Sequence, residues 1–471
     1  MPGDAKPMTA VDATWYYIDG PVNLAQVTGI LITKTPLDFA RVKELYRKRL
    51  LKFDRFRRRV VEPALPVLLT PSWENDPEFD IDRHVVRVDL PKPGGKAGLM
   101  NLLSEVVSTP LDRSHPLWQV HVVERFDGGS ALIMRFHHCI GDGTAMIALS
   151  LELFDLEPAA RPEESHAPLP RRRAGMLDTF IRTADGLFTH SAQLVSSTLA
   201  SSLELLANPQ RAVEKAGLAL GGAGMLVSEL LRPPDPQTPF KGKFGMKKRV
   251  AWSEPIVLDE VKAIGRLCEA KVNDVLVAGM AGAIRHYLLG RGIDVDHITQ
   301  RAMVPVDLRP PERALDLGNE FGLVILDLPI QISDPLLRLR KTKENMDALK
   351  RSPEAIAVFG LFNVLGYLPK IVEDFAVDLF GSKASFVMTN VAGPRQPLYV
   401  AGVPIDRIMF WVPHPGGQLG MGVSILSYNG SVSLAVVVDA NLVPDPEKIT
   451  EQFAREFANM LRKVRKVRRV R

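Results

Sequence analysis

The stretch that most restricts the fold of this chain runs from Ser130 to Leu153, SALIMRFHHCIGDGTAMIALSLEL. It opens as a β-rich apolar run, ends at two of the chain's ten histidines, crosses Gly-Asp-Gly, and continues with apolar residues at helical spacing. Upstream, LWQVHVVERF is a second β-rich run, and the Asp127-Gly128-Gly129 between the two reads as a hairpin turn. The pattern predicts a hairpin whose second strand stops at His137 and His138, then a turn, then a helix that packs back on the sheet. That is an α/β arrangement, with its polar residues gathered in one turn.

Neighbouring side chains on a strand point to opposite faces. His137 and His138 therefore cannot readily grip one metal ion, and no HExxH or CxxC spacing lies nearby. The alternation assigns the two rings different surroundings. His138, beside the turn, is the one placed to meet a cleft; a neutral imidazole there can take a proton from a hydroxyl as that oxygen attacks a carbonyl. His137 is expected in the wall. Asp142 can orient His138 or serve as a helix cap and ion-pair partner, and the structural role is favoured. Gly141 and Gly143 are expected to give the turn backbone freedom and let a substrate approach closely. Cys139 is a rival nucleophile through an acyl-cysteine, although a lone cysteine more often packs as a small buried hydrophobe. The plain alternative for the whole motif is two satisfied core histidines and a turn.

At 471 residues and 46% hydrophobic content the chain exceeds one ordinary core, so two domains are expected. The composition breaks at residues 155–175, DLEPAARPEESHAPLPRRRAG, and again at RPPDPQTPFKGKFGMKKR. These breaks divide the chain into an N-terminal domain at 1–160 carrying the histidines, a linker and helical connection at 161–246, a C-terminal domain at 247–461 and a basic tail at 462–471. A second hairpin, SILSYNGSVSLAVVV, echoes the first, which suggests two similarly built α/β halves with the site between them.

The net charge of +5 is mild, but the last ten residues, RKVRKVRRVR, hold seven Arg or Lys and no acid. An anionic partner or a solvated end both suit such a run. The N-terminus has no secretory pattern, and the charge-poor stretch from Gly186 to Leu203 is too polar to cross a membrane, so membrane contact is expected to be peripheral. Two separated cysteines, Cys139 and Cys268, imply no disulfide framework and fit a reducing cytoplasm.

HHCIGDG matches the HHxxxDG signature of the acyl-CoA-dependent acyltransferase superfamily, which includes chloramphenicol acetyltransferase and peptide-synthetase condensation domains. Its neighbours narrow the match. Upstream lie FDIDRHV with His84 and LDRSHPLWQVHVVE with Pro116, Leu117 and Trp118, and downstream lie VNDVLVAG with Asn273 and Asp274, VPVDLRPP, LGNEFG with Gly318 and Asn319, and TNVAGPRQPLYVAG. Over nearly its full length the chain resembles the bacterial wax ester synthase/acyl-CoA:diacylglycerol acyltransferase family.

The resemblance implies two chloramphenicol-acetyltransferase-like domains joined by a helical linker, with His138 between two channels. Fatty acyl-CoA, a co-substrate with no separate cofactor or metal, would meet a long-chain alcohol or diacylglycerol, giving wax esters or triacylglycerol without a covalent acyl-enzyme. Catalytic roles would fall to His138, His137 and Asp142, and substrate or oxyanion contacts to Asn273 and Gly143. Arg309 of Asp307-Leu308-Arg309 would bridge to Asp142, with Asp307 a competitor for that arginine. Residues 240–249, FKGKFGMKKR, are a candidate phosphate-binding patch or a solvated basic loop. The expected setting is cytoplasmic, peripheral to a membrane or lipid droplet, with no nucleic acid. A carrier-protein acyl donor and a non-catalytic lipid-binding role are the alternatives.

Overall fold

The computed structural model describes all residues except 1–4, 65–68, 159–231, 311–312, 314–315, 353, 366, 368–369, 415–417 and 471. Most of the expected linker, including Gly186 to Leu203, lies outside the described residues.

Two large sheets carry the chain. The six-stranded sheet has the order Tyr399–Val400, Val403–Trp411, Gln26–Thr33, Gly129–His137, Trp118–Phe126, Val85–Arg87. The seven-stranded sheet runs Phe321–Leu328, Gln300–Asp307, Phe386–Ala392, Met421–Tyr428, Ser431–Asp439, Lys248–Trp252, with Ile256–Val257 also paired to Ser431–Asp439. Each sheet contains a tight hairpin of the kind the sequence marks with Gly. Asp127 and Gly128 (φ 50° and 79°) close the first, and Asn429 and Gly430 (φ 46° and 79°) the second. Positive φ at both central residues matches the right-handed twist of the flanking strands, which explains the Asp-Gly and Asn-Gly pairs.

The partition at 247–461 does not follow the sheets. Val403–Trp411 comes late in the chain but pairs antiparallel with Gln26–Thr33, Ile408 opposite Leu31 and Trp411 opposite Thr28. The apolar run Ile408–Trp411 suits a strand, whereas its partner is set by tertiary packing that a local pattern does not encode. This crossing strand locks the halves together. Ile30, Ile133, Leu103, Trp252, Trp411 and Val437 form one core cluster drawn from both halves. Trp411 is 1% exposed, meets Trp252 edge to face at 6.1 Å, and donates from its indole N–H to the Val436 carbonyl at 3.1 Å. Burying one such side chain contributes about 1.5–3 kcal/mol.

Helices cover both sheets. The helix Ala10–Tyr17 is buried along nearly its whole length, and its N-cap Thr9 accepts from the Asp12 amide. The final helix, Glu447–Val470, continues through the valines of the basic end. Among the described residues no helix is long and apolar enough to cross a membrane.

Candidate active site

The strand Gly129–His137 stops at the first histidine, and His138–Ile140 form a single 3-10 turn. His138 is thus the first residue of the turn and not the last of the strand. The two rings diverge because the chain turns between them, a stronger cause than strand alternation. The turn is tied at several points: the His138 amide donates to Ala25 O at 2.8 Å, and the Cys139 amide donates to His137 Nδ1 at 3.2 Å. His137 is buried in the wall, its Nε2 3.5 Å from Asp19 Oδ2. Asp19 also accepts from the Ala25 amide at 2.6 Å and from Arg113 at 3.1 Å.

His138 faces a cavity of about 340 Å³ lined from both halves, by Trp15, Met134, Phe136 and Ile147 on one side and Phe321 and Leu323 on the other. The ring stacks on Trp15 at 3.9 Å with 14° between planes. Its Nδ1 lies 2.9 Å from Asn319 Oδ1. The amide orientation follows from its other partners. Asn319 Nδ2 donates to Asp12 Oδ1 at 2.8 Å and to the His138 carbonyl at 2.9 Å, so Oδ1 must face the ring. Nδ1 therefore carries the proton, and Nε2 keeps its lone pair. Burial is the main cause pushing the His138 pKa down to about 4, partly offset by the Asp142 charge and the Asn319 hydrogen bond. The ring is neutral at pH 7.

Asp12 extends the chain outward. Its Oδ2 pairs with Arg55 at 3.0 Å, and Arg55 also donates to the carbonyls of Cys139 at 3.1 Å and Ile140 at 2.9 Å. One arginine so holds both the turn and the acid behind Asn319. Gly318, at φ +125°, permits the bend that delivers Asn319, and a Cβ there would meet Arg55 and Asp12. Sequence reasoning placed no role on Trp15, Asp12 or Arg55. A lone acid inside the apolar helix AVDATWYY was the available signal.

The structure brings Asp142 and Arg309 together in a bidentate pair at 2.9 and 2.8 Å, both side chains buried. Asp142 also caps the helix Gly143–Leu153 through the Ala145 amide at 3.0 Å and accepts from the Glu320 amide at 3.0 Å. Its oxygens meet these donors and not the His138 ring, whose Nδ1 belongs to Asn319, so its place is as a junction between the halves. Asp307 does not compete for the guanidinium. Among the described residues it accepts the backbone N–H of Arg309 at 3.0 Å and the Thr144 hydroxyl at 2.6 Å.

Other expectations need correction. Gly141 has extended backbone (φ 175°) and Gly143 begins a helix, so neither uses a glycine-only conformation. Gly143 does line the cavity, and a Cβ there would meet nothing within 4 Å. Cys139 is fully buried, does not line the cavity, and burial pushes its thiol pKa well up, all of which disqualify it as a nucleophile. Asn273 lines the cavity but is not a helix cap: Asp274 accepts the Lys271 amide at 2.8 Å, and Asn273 Oδ1 accepts from Asn390 Nδ2 at 2.5 Å. Asn390 was not singled out in the sequence. Within residues 240–249, Lys241 is buried on the carbonyls of Ser382 and Ala384, at 3.2 and 2.7 Å, and Lys248 pairs with Asp439 at 2.7 Å. Two of that patch's lysines are internal struts and unavailable to a phosphate.

A two-sheet fold with a motif histidine at the junction of its halves defines an acyltransferase of the HHxxxDG class. The protein belongs to the wax ester synthase/diacylglycerol acyltransferase family: the catalytic-domain model of that family matches residues 8–276 and its C-terminal-domain model residues 317–461. A putative diacylglycerol O-acyltransferase of Mycobacterium tuberculosis H37Rv is 26% identical over 479 aligned residues, covering 96% of this chain and 90% of the relative. A probable diacylglycerol O-acyltransferase of the same organism is 29% identical over 399 residues, covering 80% of this chain and 81% of its own. Among solved structures, the wax ester synthase/diacylglycerol acyltransferase of Marinobacter aquaeolei VT8 superposes with TM-score 0.66 at 18% identity, over 98% of this chain and 100% of that one. The first condensation domain of the calcium-dependent antibiotic synthetase gives 0.59 at 14% identity, over 98% and 97%.

Proposed function

We propose that His138 is the general base with which this wax ester synthase/diacylglycerol acyltransferase moves a fatty acyl group from acyl-CoA to the hydroxyl of a long-chain alcohol or diacylglycerol. The observation that carries the proposal is the Asp12–Asn319–His138 chain, which fixes the ring tautomer and leaves Nε2 for the shared cavity. The acceptor hydroxyl gives its proton to Nε2 as its oxygen attacks the thioester carbonyl. The tetrahedral intermediate then expels the CoA sulfur, which takes the proton back from Nε2. Oxygen replaces sulfur on the acyl carbon and no acyl-enzyme forms.

The oxyanion needs donors in place beforehand. Gly143 and Thr144, at the start of the helix Gly143–Leu153, offer first-turn amides without helical acceptors, and the Asn273 side chain lines the same cavity. Acyl-CoA enters as co-substrate, and a single histidine carries the proton in both directions, so no cofactor is required. Because acceptor and product are water-insoluble, we place the enzyme peripherally on a membrane or lipid droplet, with the basic end of the last helix toward anionic headgroups.

The test is release of free thiol from palmitoyl-CoA upon adding hexadecanol or dioleoylglycerol. His138→Ala should lower the rate by about 10²–10⁴-fold, the usual worth of a general base. A fully active variant would remove His138 from the mechanism. Flotation with anionic vesicles, against a chain lacking its last ten residues, tests the peripheral placement.

A further inference from the structure

We propose that Gly29 opens a notch in the cavity wall through which the alkyl chain of one substrate passes, so that this position sets the chain length the enzyme accepts. This rests on the acyl-transfer reading above and deepens it to a determinant of substrate choice.

Gly29 lies inside the strand Gln26–Thr33, where a glycine weakens the strand and has no side chain to pack. The described strands of the two large sheets hold three other glycines, and each has a reason in the fold. At Gly129, Gly322 and Gly422 a Cβ would run into the backbone oxygens of Thr33, Ala355 and Val412. Gly29 meets no such obstacle. A Cβ there would stand 3.6 Å from Met134 Cε and 3.8 Å from the Met409 carbonyl oxygen, both ordinary contacts, and the residue does not have positive φ. Neither backbone conformation nor packing within the protein calls for a glycine at this place.

What Gly29 borders is the cavity of His138. Across the sheet its row reads Val120, Met134, Gly29, Phe410, each opposite the next, and all four line that cavity. Three of them bring bulky side chains and Gly29 brings none, so the row has a notch. Val27 and Leu31, two residues to either side on the same strand and facing the same way, line the cavity as well, so the space continues past the notch. Gln26 pairs with His137, next to the base, and Gly29 follows three residues on, about 10 Å along the strand. A long chain held at His138 by its reacting end therefore reaches the notch with its methylenes. None of the side chains around it carries an N–H or O–H, so it suits an alkyl chain and not a polar head.

Donor and acceptor both carry such a chain, and two length series tell them apart: hexanoyl-CoA against palmitoyl-CoA with 1-hexadecanol, and 1-hexanol against 1-hexadecanol with palmitoyl-CoA. The short chain ends before the notch and the long one crosses it. Gly29→Val should lower the long-to-short ratio of kcat/KM at least tenfold in one series, since each methylene denied burial is worth about fourfold. The short substrate of that series should stay within about threefold of its wild-type value, and the series that shifts identifies the chain. Gly29→Ala should shift the same series by less, and guards against a valine variant that fails to fold. Both variants should melt at or above the wild-type temperature, because a strand glycine is replaced where there is room. Ratios unmoved in both series, ratios lowered equally in both, or melting temperatures lowered by both variants overturn the notch while leaving acyl transfer intact. A wild type inert to every pair defeats the acyl-transfer reading and the notch with it.

Discussion

Nδ1 of His138 donates to Oδ1 of Asn319 at 2.9 Å, although 181 residues separate the two in sequence. The partner is a neutral amide, so it orients the ring without attracting a proton to it. Asn319→Ala should leave the tautomer unfixed and lower kcat on the order of 10²-fold. Asn319→Asp tests the sign of the electrostatics: a carboxylate beside Nδ1 favours the imidazolium, so the His138 pKa rises from about 4 and the acid limb of the pH–rate profile moves to higher pH. An unmoved acid limb would mean that Asn319 does not govern the ring.

What was legible in the sequence was local. The Gly-closed hairpins, the strand ending at the histidines and the helix after Gly-Asp-Gly follow from short-range pattern and turn chemistry. The Asp142–Arg309 pairing came from a resemblance, since no spacing rule joins residues 167 apart. The Trp15 stack and the Arg55 clamp were hidden because each depends on a side chain meeting the turn across the fold, from elements whose own pattern reads as ordinary core or surface. The pairing of Val403–Trp411 with Gln26–Thr33, across the expected domain boundary, was hidden for the same reason.

Asp142 and Arg309 are both buried, and each is the other's charge partner across the halves. Replacing Arg309 by Met leaves Asp142 with the Ala145 and Glu320 amides and no cation. The expected cost is about 3–5 kcal/mol of stability, read by urea denaturation, because the burial penalty of the carboxylate remains. Arg309→Lys should recover only part of it, since an ammonium cannot reproduce the two-point contact. Equal stability of all three proteins would show that the bridge is not what holds the junction.

Cys139 adjoins the base in sequence yet is sealed from the cavity. Cys139→Ala should therefore retain kcat within about threefold, with a stability loss of roughly 1 kcal/mol for the vacated volume. Mass spectrometry of the wild type after rapid quench with palmitoyl-CoA alone should find no palmitoylated protein. A trapped acyl-cysteine would replace direct transfer with a two-step mechanism.

Glu373, on the helix Lys370–Gly381, is fully buried, and neither of its carboxyl oxygens has a hydrogen-bond partner among the described residues. Burial is the largest cause raising its pKa from 4.5 to about 8, with Lys370 opposing and Asp374 adding to the rise. A carboxyl whose folded pKa is raised holds its proton better folded than unfolded. Its contribution is favourable below pH 4.5 and is lost as pH climbs toward 8, at most about 1.4 kcal/mol per pH unit across that window. Glu373→Gln removes the titration while keeping the shape. The variant should melt near the wild type at pH 5 and several degrees above it at pH 8.5, measured by differential scanning calorimetry. A Tm difference that stays constant between the two pH values would mean that Glu373 finds a partner or water when ionised, and that its carboxyl is not held neutral by the fold.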